Sequence, residues 1–359
     1  MTLRVLALSR YGALGASTRM RFMQYIPALE GAGLQIQVQA LFDDAALAAR
    51  YERVAYSLGT IMQCFTRRIA ALQNRNNFDV LWIEKEALPW WPQWIEAAML
   101  RGVPYMLDFD DAVFHNYDQH RLAAVRHLFG QRLDGLMAQA SLVVAGNDYL
   151  AQRARDAGAS WVEVLPTVID LDRYPYPHPA QATRSSVPPV VVWIGSPSTV
   201  RYLQLLQEPL QSLAKRMPFV LRVIGGEVAF PGVQVECLPW TESTEVAHIA
   251  NADVGVMPLL DSPWERGKCG YKLIQYMACG LPVVASPVGV NASIVRDGVN
   301  GFWSHDAQSW ACALEKLLTD ASLRVRMGAE GRQQVERDYS LQVTAPRLAG
   351  WLHKAAHQG

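Results

Sequence analysis

The sequence predicts an α/β protein built from two Rossmann-like domains facing across a cleft, and three observations predict it. Its 359 residues exceed the roughly 250–300 at which one hydrophobic core tends to split. Short apolar runs alternate with amphipathic segments in two successive series, the pattern of βαβ units around parallel sheets. Between the series lies YPYPHPAQATRSSVPP (174–189), whose five prolines with Ser, Thr and Ala read as an extended connection. The organisation that follows is an N-terminal domain over 1–175, a linker over 176–189, a C-terminal domain over 190–335, and a helical segment over 336–359 that returns to the N-terminal domain.

In the first series the predicted strands are 3–9, 34–41, 79–84, 104–109, 142–146 and 161–166. One helix is expected over 17–33, where Phe22, Ile26 and Leu29 fall at helical spacing and Gly31 or Gly33 supplies the stop. The second series offers strands at 190–195, 219–226, 233–238, 254–259 and 282–286, and the tail from Ala307 reads as mostly helical.

Composition excludes several classes. Half the residues are hydrophobic, and Lys plus Arg equals Asp plus Glu at 33 each, so no global field recruits nucleic acid. Five cysteines with no CxxC spacing argue against zinc and against a disulfide framework. No run of about 18 apolar residues is present, and a cytoplasmic protein is expected. No GxGxxG follows the first strand, which argues against a dinucleotide-dependent dehydrogenase.

The richest stretch is ERGKCGYKLIQYMACGLPVVASPVG (265–289). Gly270 permits a tight turn or close backbone approach, a helix begins at Tyr271, and Gly280 sits where a left-handed cap ends it before Pro282. Lys272 and Gln275 share one face of that helix, whose start offers free N–H groups to an anion, with Lys268 adding charge from the loop. A surface helix with solvated Lys and Gln fits the spacing equally well. Near the N-terminus, SRYGALGASTRMR sets Gly12, Gly15 and Ala16 between strand and helix, where backbone N–H groups suit a phosphate. Arg19 and Arg21 follow; either suits an anionic acceptor, and solvated surface is the plainer reading of Arg21. MLDFDDAVFHN holds Asp108, Asp110, Asp111 and His115 at a strand end; read literally, Asp108-Phe109-Asp110 is a DxD that holds a divalent ion on a donor diphosphate. Trp90, Trp91 and Trp94 suit domain packing or peripheral contact with a membrane interface.

The 265–289 block, with ADVGVMPL before it and DGVNGFW after it, resembles the donor-binding core of retaining glycosyltransferases of GT-B fold, family 4 or group 1. The resemblance extends to WIGSPSTVRYL (193–203), VIGG (223–226), AGNDYLAQRA (145–154) and VLPTVIDLDRY (164–174). It implies a nucleotide-sugar donor (UDP or GDP) held by the C-terminal domain and a glycan or lipid-linked acceptor on the N-terminal side. It further implies transfer with retention and no metal or other cofactor; a lipid-linked acceptor would put the cytoplasmic protein at the inner face of the plasma membrane. The donor residues it implies are Gly15, Ser196, Arg201, Gly225, Lys268, Gly270, Tyr271, Lys272 and Gln275, with Arg201 and Lys272 stabilising the departing diphosphate. Acceptor-side residues are Arg19, Asp110, Asp111 and Asn147, and Asp110 is a catalytic candidate should a base be needed. The sequence also departs from the family. Two glutamates that the family usually carries fall on Gly267 and Gln275, so Asp261 or Glu265 is expected to meet the donor sugar; an arginine of the phosphate grip is replaced by Ser196. These departures keep open a nucleotide- or glycan-binding protein without turnover.

Overall fold

The computed structural model describes residues 2–51, 54–177 and 188–357. Packing divides the chain into two units: Met1–Thr167 with Gly267–Cys269 and Thr344–Gly359, and Val168–Arg266 with Gly270–Val343. The chain changes unit at Val168, ahead of the predicted 175. The reason is local: Ile169 bridges to Ser340, and the carbonyl of Tyr174 accepts from Arg332 at 2.7 Å, so 168–174 packs into the second unit. Most of the predicted linker, 178–187, lies outside the described residues, as do 358–359 of the predicted C-terminal segment.

The first unit is a six-stranded parallel sheet in the order β2-β1-β3-β4-β5-β6. Its strands are β1 (Leu3–Ser9), β2 (Leu34–Ala40), β3 (Val80–Glu84), β4 (Tyr105–Phe109), β5 (Leu142–Ala145) and β6 (Val162–Val164). β3, β4 and β5 are buried along their whole length, as continuous apolar runs in a sheet covered on both faces require. The second unit repeats the plan in the order β12-β11-β10-β7-β8-β9, with β7 (Val190–Ile194), β8 (Val220–Ile224), β9 (Gln234–Leu238), β10 (Val254–Met257), β11 (Val283–Ala285) and β12 (Gly301–Trp303). Along β7 alternate residues enter opposite cores. Val190, Val192 and Ile194 pack with the helix Tyr271–Ala278, while Val191 and Trp193 pack with Leu314, Leu317 and Met327.

Every predicted strand is present, and β12 is an addition. Three residues led by a glycine give no apolar run to read, and Gly301 is there because a Cβ would lie 2.2 Å from the Val283 carbonyl oxygen. The single helix predicted over 17–33 is instead Ala16–Arg21, a 3-10 turn Met23–Tyr25 and Ile26–Gly31. Phe22 leaves helical geometry at φ −122°, and Pro27, which has no N–H to donate, sits in the first turn of the new helix, where none is needed. The tail forms Ala307–Thr319, Ala321–Asp338 and Leu341–Ala356. From Thr344 the last helix belongs to the first unit, as predicted: Thr344 and Tyr25 hydroxyls lie 2.9 Å apart, and the Lys354 ammonium is 4.2 Å from the Trp161 ring centre.

Each strand order reverses once, between β1 and β3 in the first unit and between β7 and β10 in the second. At such switch points the loops leaving neighbouring strands part, and polar groups gather at the carboxyl ends. In the second unit the point is held by Tyr276, fully buried, whose hydroxyl accepts from the Ile194 N–H at 3.0 Å. A Cβ on Gly255 of β10 would lie 2.2 Å from that ring. Gly255→Ala is therefore expected to destabilise the protein by about 1–3 kcal/mol through overpacking. Urea unfolding checks this; an unchanged midpoint contradicts it.

Candidate functional site

In the second unit the site begins where β7 and β8 end. The Gly195 N–H donates to the Ile224 carbonyl at 3.0 Å. Gly225 beside it has φ +79°, and a Cβ there would stand 2.3 Å from the Gly195 oxygen, so the predicted donor-side Gly225 is a steric necessity. The turn GSPSTVR is closed by its own hydroxyls: Ser196 and Ser198 lie 2.9 Å apart, and Thr199 donates to the Ser196 carbonyl at 2.9 Å. It delivers Arg201 onto the 3-10 helix Val200–Leu206 with its side chain 70% exposed. The guanidinium lies over the Tyr202 ring at 5.1 Å and donates to its hydroxyl at 3.2 Å.

That hydroxyl donates in turn to the buried carboxylate of Glu265, which also accepts from Ser262. Glu265 is thus turned inward. Asp261 is exposed and held by Arg266 through two bonds of 2.7 and 3.1 Å.

Lys272 projects from the helix Tyr271–Ala278 with its ammonium 4.5 Å from the centre of the Trp193 ring on β7. Gly270 starts that helix in the left-handed region at φ +66°. Tyr271 and Lys272 are half-buried. Gln275 faces inward, 3% exposed, with its amide nitrogen donating to the Tyr174 hydroxyl at 2.9 Å.

Gly267, Lys268 and Cys269 pack in the first unit. The Lys268 ammonium is 3.9 Å from Asp111, and the Cys269 thiol donates to the Asp110 carbonyl at 3.0 Å. A Cβ on Gly267 would lie 2.5 Å from that of Ala112, which is a physical reason for glycine where the resemblance leads one to expect glutamate.

The first unit gathers charge at its own switch point. Lys85, directly after β3, forms ion pairs with Asp110 at 2.7 Å and Glu84 at 3.5 Å, and donates to Ser17 at 3.2 Å. Its backbone is left-handed at φ +65°, uncommon for a residue with a side chain, and the side chain is buried. Arg21 pairs with Asp108 at 2.7 Å and donates to the Leu165 carbonyl at 2.6 Å. Arg21 is therefore not solvated surface; at 1% exposed it is one of the most buried cations.

Burial pushes the Asp108 carboxyl up to about 6 despite the Arg21 guanidinium. Burial pushes Asp110 the same way, but the Lys85 ammonium outweighs it and leaves Asp110 below the ordinary carboxylate range. Asp111 stands above that range through burial and the charge of Asp110. Each carboxylate of the Asp108-Phe109-Asp110 triplet already carries a cationic side chain, which removes the ground for reading it as a metal-binding DxD.

The remaining predicted residues have structural duties. Asn147 is 3% exposed; its oxygen caps the helix Asp148–Asp156 at the Leu150 N–H and its nitrogen donates to the Lys268 carbonyl, both at 2.9 Å. These bonds make it a helix cap and loop tie. Gly15 turns its N–H onto the Gly12 carbonyl at 3.1 Å, closing the loop that was expected to cradle phosphate. Arg19 is half-buried and donates to the Ala13 carbonyl at 3.2 Å. Lys85 and Tyr202 escaped the sequence reading. The signal for Lys85 was present: a lysine between two acids, EKE, directly after an unbroken apolar strand.

Comparison with known proteins places this geometry. Residues 188–320 match the family described as glycosyl transferases group 1. The D-inositol 3-phosphate glycosyltransferase of Xylanimonas cellulosilytica is 28% identical over 252 residues, which cover 60% of this chain and 56% of that protein. The chain thus spans little more than half the length of that relative. Among solved structures, the sucrose-phosphate synthase of Thermosynechococcus elongatus superposes with a TM-score of 0.74 at 15% identity, covering 99% of this chain and all of that one. HepE of Anabaena, solved in complex with UDP-glucose, gives 0.73 at 17% identity over 98% of this chain and all of its own. Residues 188–320 thus resemble the group 1 glycosyltransferases, and the two parallel six-stranded sheets share the GT-B fold of these solved structures.

Proposed function

We propose that this protein moves a sugar from a UDP- or GDP-linked donor to a glycan or lipid-linked glycan, with retention of anomeric configuration and without a metal. The observation that carries the reading is the pair of cations at the carboxyl end of β7, Arg201 laid over Tyr202 and Lys272 over Trp193. An aromatic face orients a cation without cancelling its charge, which leaves Arg201, 70% exposed, suited to a diphosphate. The UDP-glucose found on HepE supports the same donor class. As the sugar–phosphate bond breaks, negative charge grows on the leaving diphosphate; fixed cations stabilise that charge more in the transition state than before it, which lowers the barrier. The leaving phosphate then takes the proton of the acceptor hydroxyl, so no protein base is needed. That relieves Asp110, which is held ionised by Lys85 and is a weak base. Of the two acids considered for the donor sugar, Asp261 is the exposed one.

Arg201→Ala and Lys272→Ala should each lower kcat/KM by on the order of 10²-fold with the fold intact. Kinetics against a panel of nucleotide sugars checks this, and near-normal turnover in both variants contradicts the phosphate clamp. Binding by calorimetry with no turnover of any donor would instead favour a binding protein.

Dialysis against EDTA should leave the rate unchanged. Inhibition that Mn²⁺ or Mg²⁺ reverses would overturn the metal-free mechanism.

On the acceptor side, Lys85→Met leaves Asp110 buried with its ion-pair partner removed and should cost about 3–5 kcal/mol, whereas Lys85→Met with Asp110→Asn should cost much less. Equal losses in the single and double variants by denaturant unfolding would show that the pair is not coupled.

A further inference from the structure

The first unit carries an apolar, cationic face that the proposed chemistry does not use. The helix Ala123–Phe129 has no buried residue, although the segment RLAAVRHLF (121–129) is mostly apolar. Side chains that a helix does not hide in its own core are left to a surface outside the protein. Leu122 and Leu128 are 54% and 72% exposed, and Trp94, in the helix Gln93–Leu100, is 70% exposed. Gln93 lines one surface recess together with Arg126, His127 and Leu128, so the two helices contribute to the same face. Trp91 stacks on Phe65 at 5.9 Å, and Phe65 continues a helical stripe with Leu58 and Met62, which are 79% and 69% exposed.

Charge then selects the partner. No acidic residue occurs from Gln119 to Leu133, while Arg121 and Arg126 are both exposed. Arg126 donates to the carbonyls of His120 (2.6 Å) and Arg121 (3.2 Å), which fixes the guanidinium at the surface and leaves its charge in place. Tryptophan and leucine tips projecting beside arginines are the chemistry of an interfacial helix on an acidic bilayer.

We propose that this face docks the protein on a membrane surface containing anionic lipid, with Trp94, Leu122 and Leu128 entering the headgroup region and Arg121 and Arg126 meeting lipid phosphates. The inference does not depend on the glycosyltransferase reading. Exposed apolar residues on three separate helices suit a fluid surface.

The test is co-sedimentation of the full chain with vesicles of phosphatidylcholine alone or mixed with phosphatidylglycerol. The protein should pellet with the mixed vesicles, weakly with phosphatidylcholine, and less as salt rises. Arg121→Ala with Arg126→Ala should weaken partitioning about 30-fold, each arginine near the surface counting for about fivefold. Trp94→Ser with Leu128→Ser should weaken it at least about tenfold. Val325→Ser, at an equally exposed site on the helix Ala321–Asp338, should change nothing. Melting curves confirm that the variants fold, and Arg121→Ala alone serves as the milder probe. The proposal is overturned if the protein ignores phosphatidylglycerol, if both double variants bind like the parent, or if ultracentrifugation shows a dimer that Trp94→Ser with Leu128→Ser dissolves.

Discussion

Two all-parallel sheets whose central strands are buried on both faces constrain everything else in this protein. Along those central strands side chains meet an apolar layer on either face, so charge there has to collect where strands end. The order of strands decides at which ends there is room: β1 and β3 part in one unit, β7 and β10 in the other. Lys85 follows β3, and the Arg201 turn follows β7. Both clusters of charge are consequences of topology before they are consequences of sequence identity.

The two switch points handle charge differently. In the first unit cations are matched to carboxylates at 2.7 Å, Arg21 to Asp108 and Lys85 to Asp110, deep enough that neither partner tolerates loss of the other. In the second unit Arg201 and Lys272 rest on aromatic faces, and Arg201 stays largely open to solvent. Its nearest acid, Glu265, is 3.9 Å away and already accepts from Tyr202 and Ser262. A cation oriented in this way is the basis of the proposed phosphate contact.

Most of the fold was legible because apolar runs of four to seven residues between glycines and prolines are a strong signal for buried parallel strands. The signal failed where local chemistry ran against it. β12 is too short and opens on a glycine chosen for close backbone approach. The helix predicted over 17–33 ends where Phe22 leaves helical geometry, and a new one starts with Pro27 in its first turn. A motif carried Arg201 and Lys272 into the proposed donor site, whereas residues whose fate was decided by pairing across the sheet had no such signal. Arg21 looked like surface because sequence spacing does not reveal an Asp108 waiting 87 positions later at the end of β4. Lys85 was passed over for the same reason: its partners Asp110 and Ser17 come from other strand ends. Gly267 is the converse case. It departs from the expected glutamate, and its contact with Ala112 gives that departure a steric cause.

The claim on which the account rests is that the second unit holds a nucleoside diphosphate. Thermal unfolding in the presence of UDP, GDP and ADP tests it without needing to know the sugar or the acceptor. A ligand at a hundred times its Kd stabilises the folded state by about 2.7 kcal/mol, a rise of a few degrees in Tm for a domain of this size. The account predicts such a rise with UDP or GDP that grows with concentration. A melting curve indifferent to every nucleoside diphosphate at millimolar concentration would contradict it.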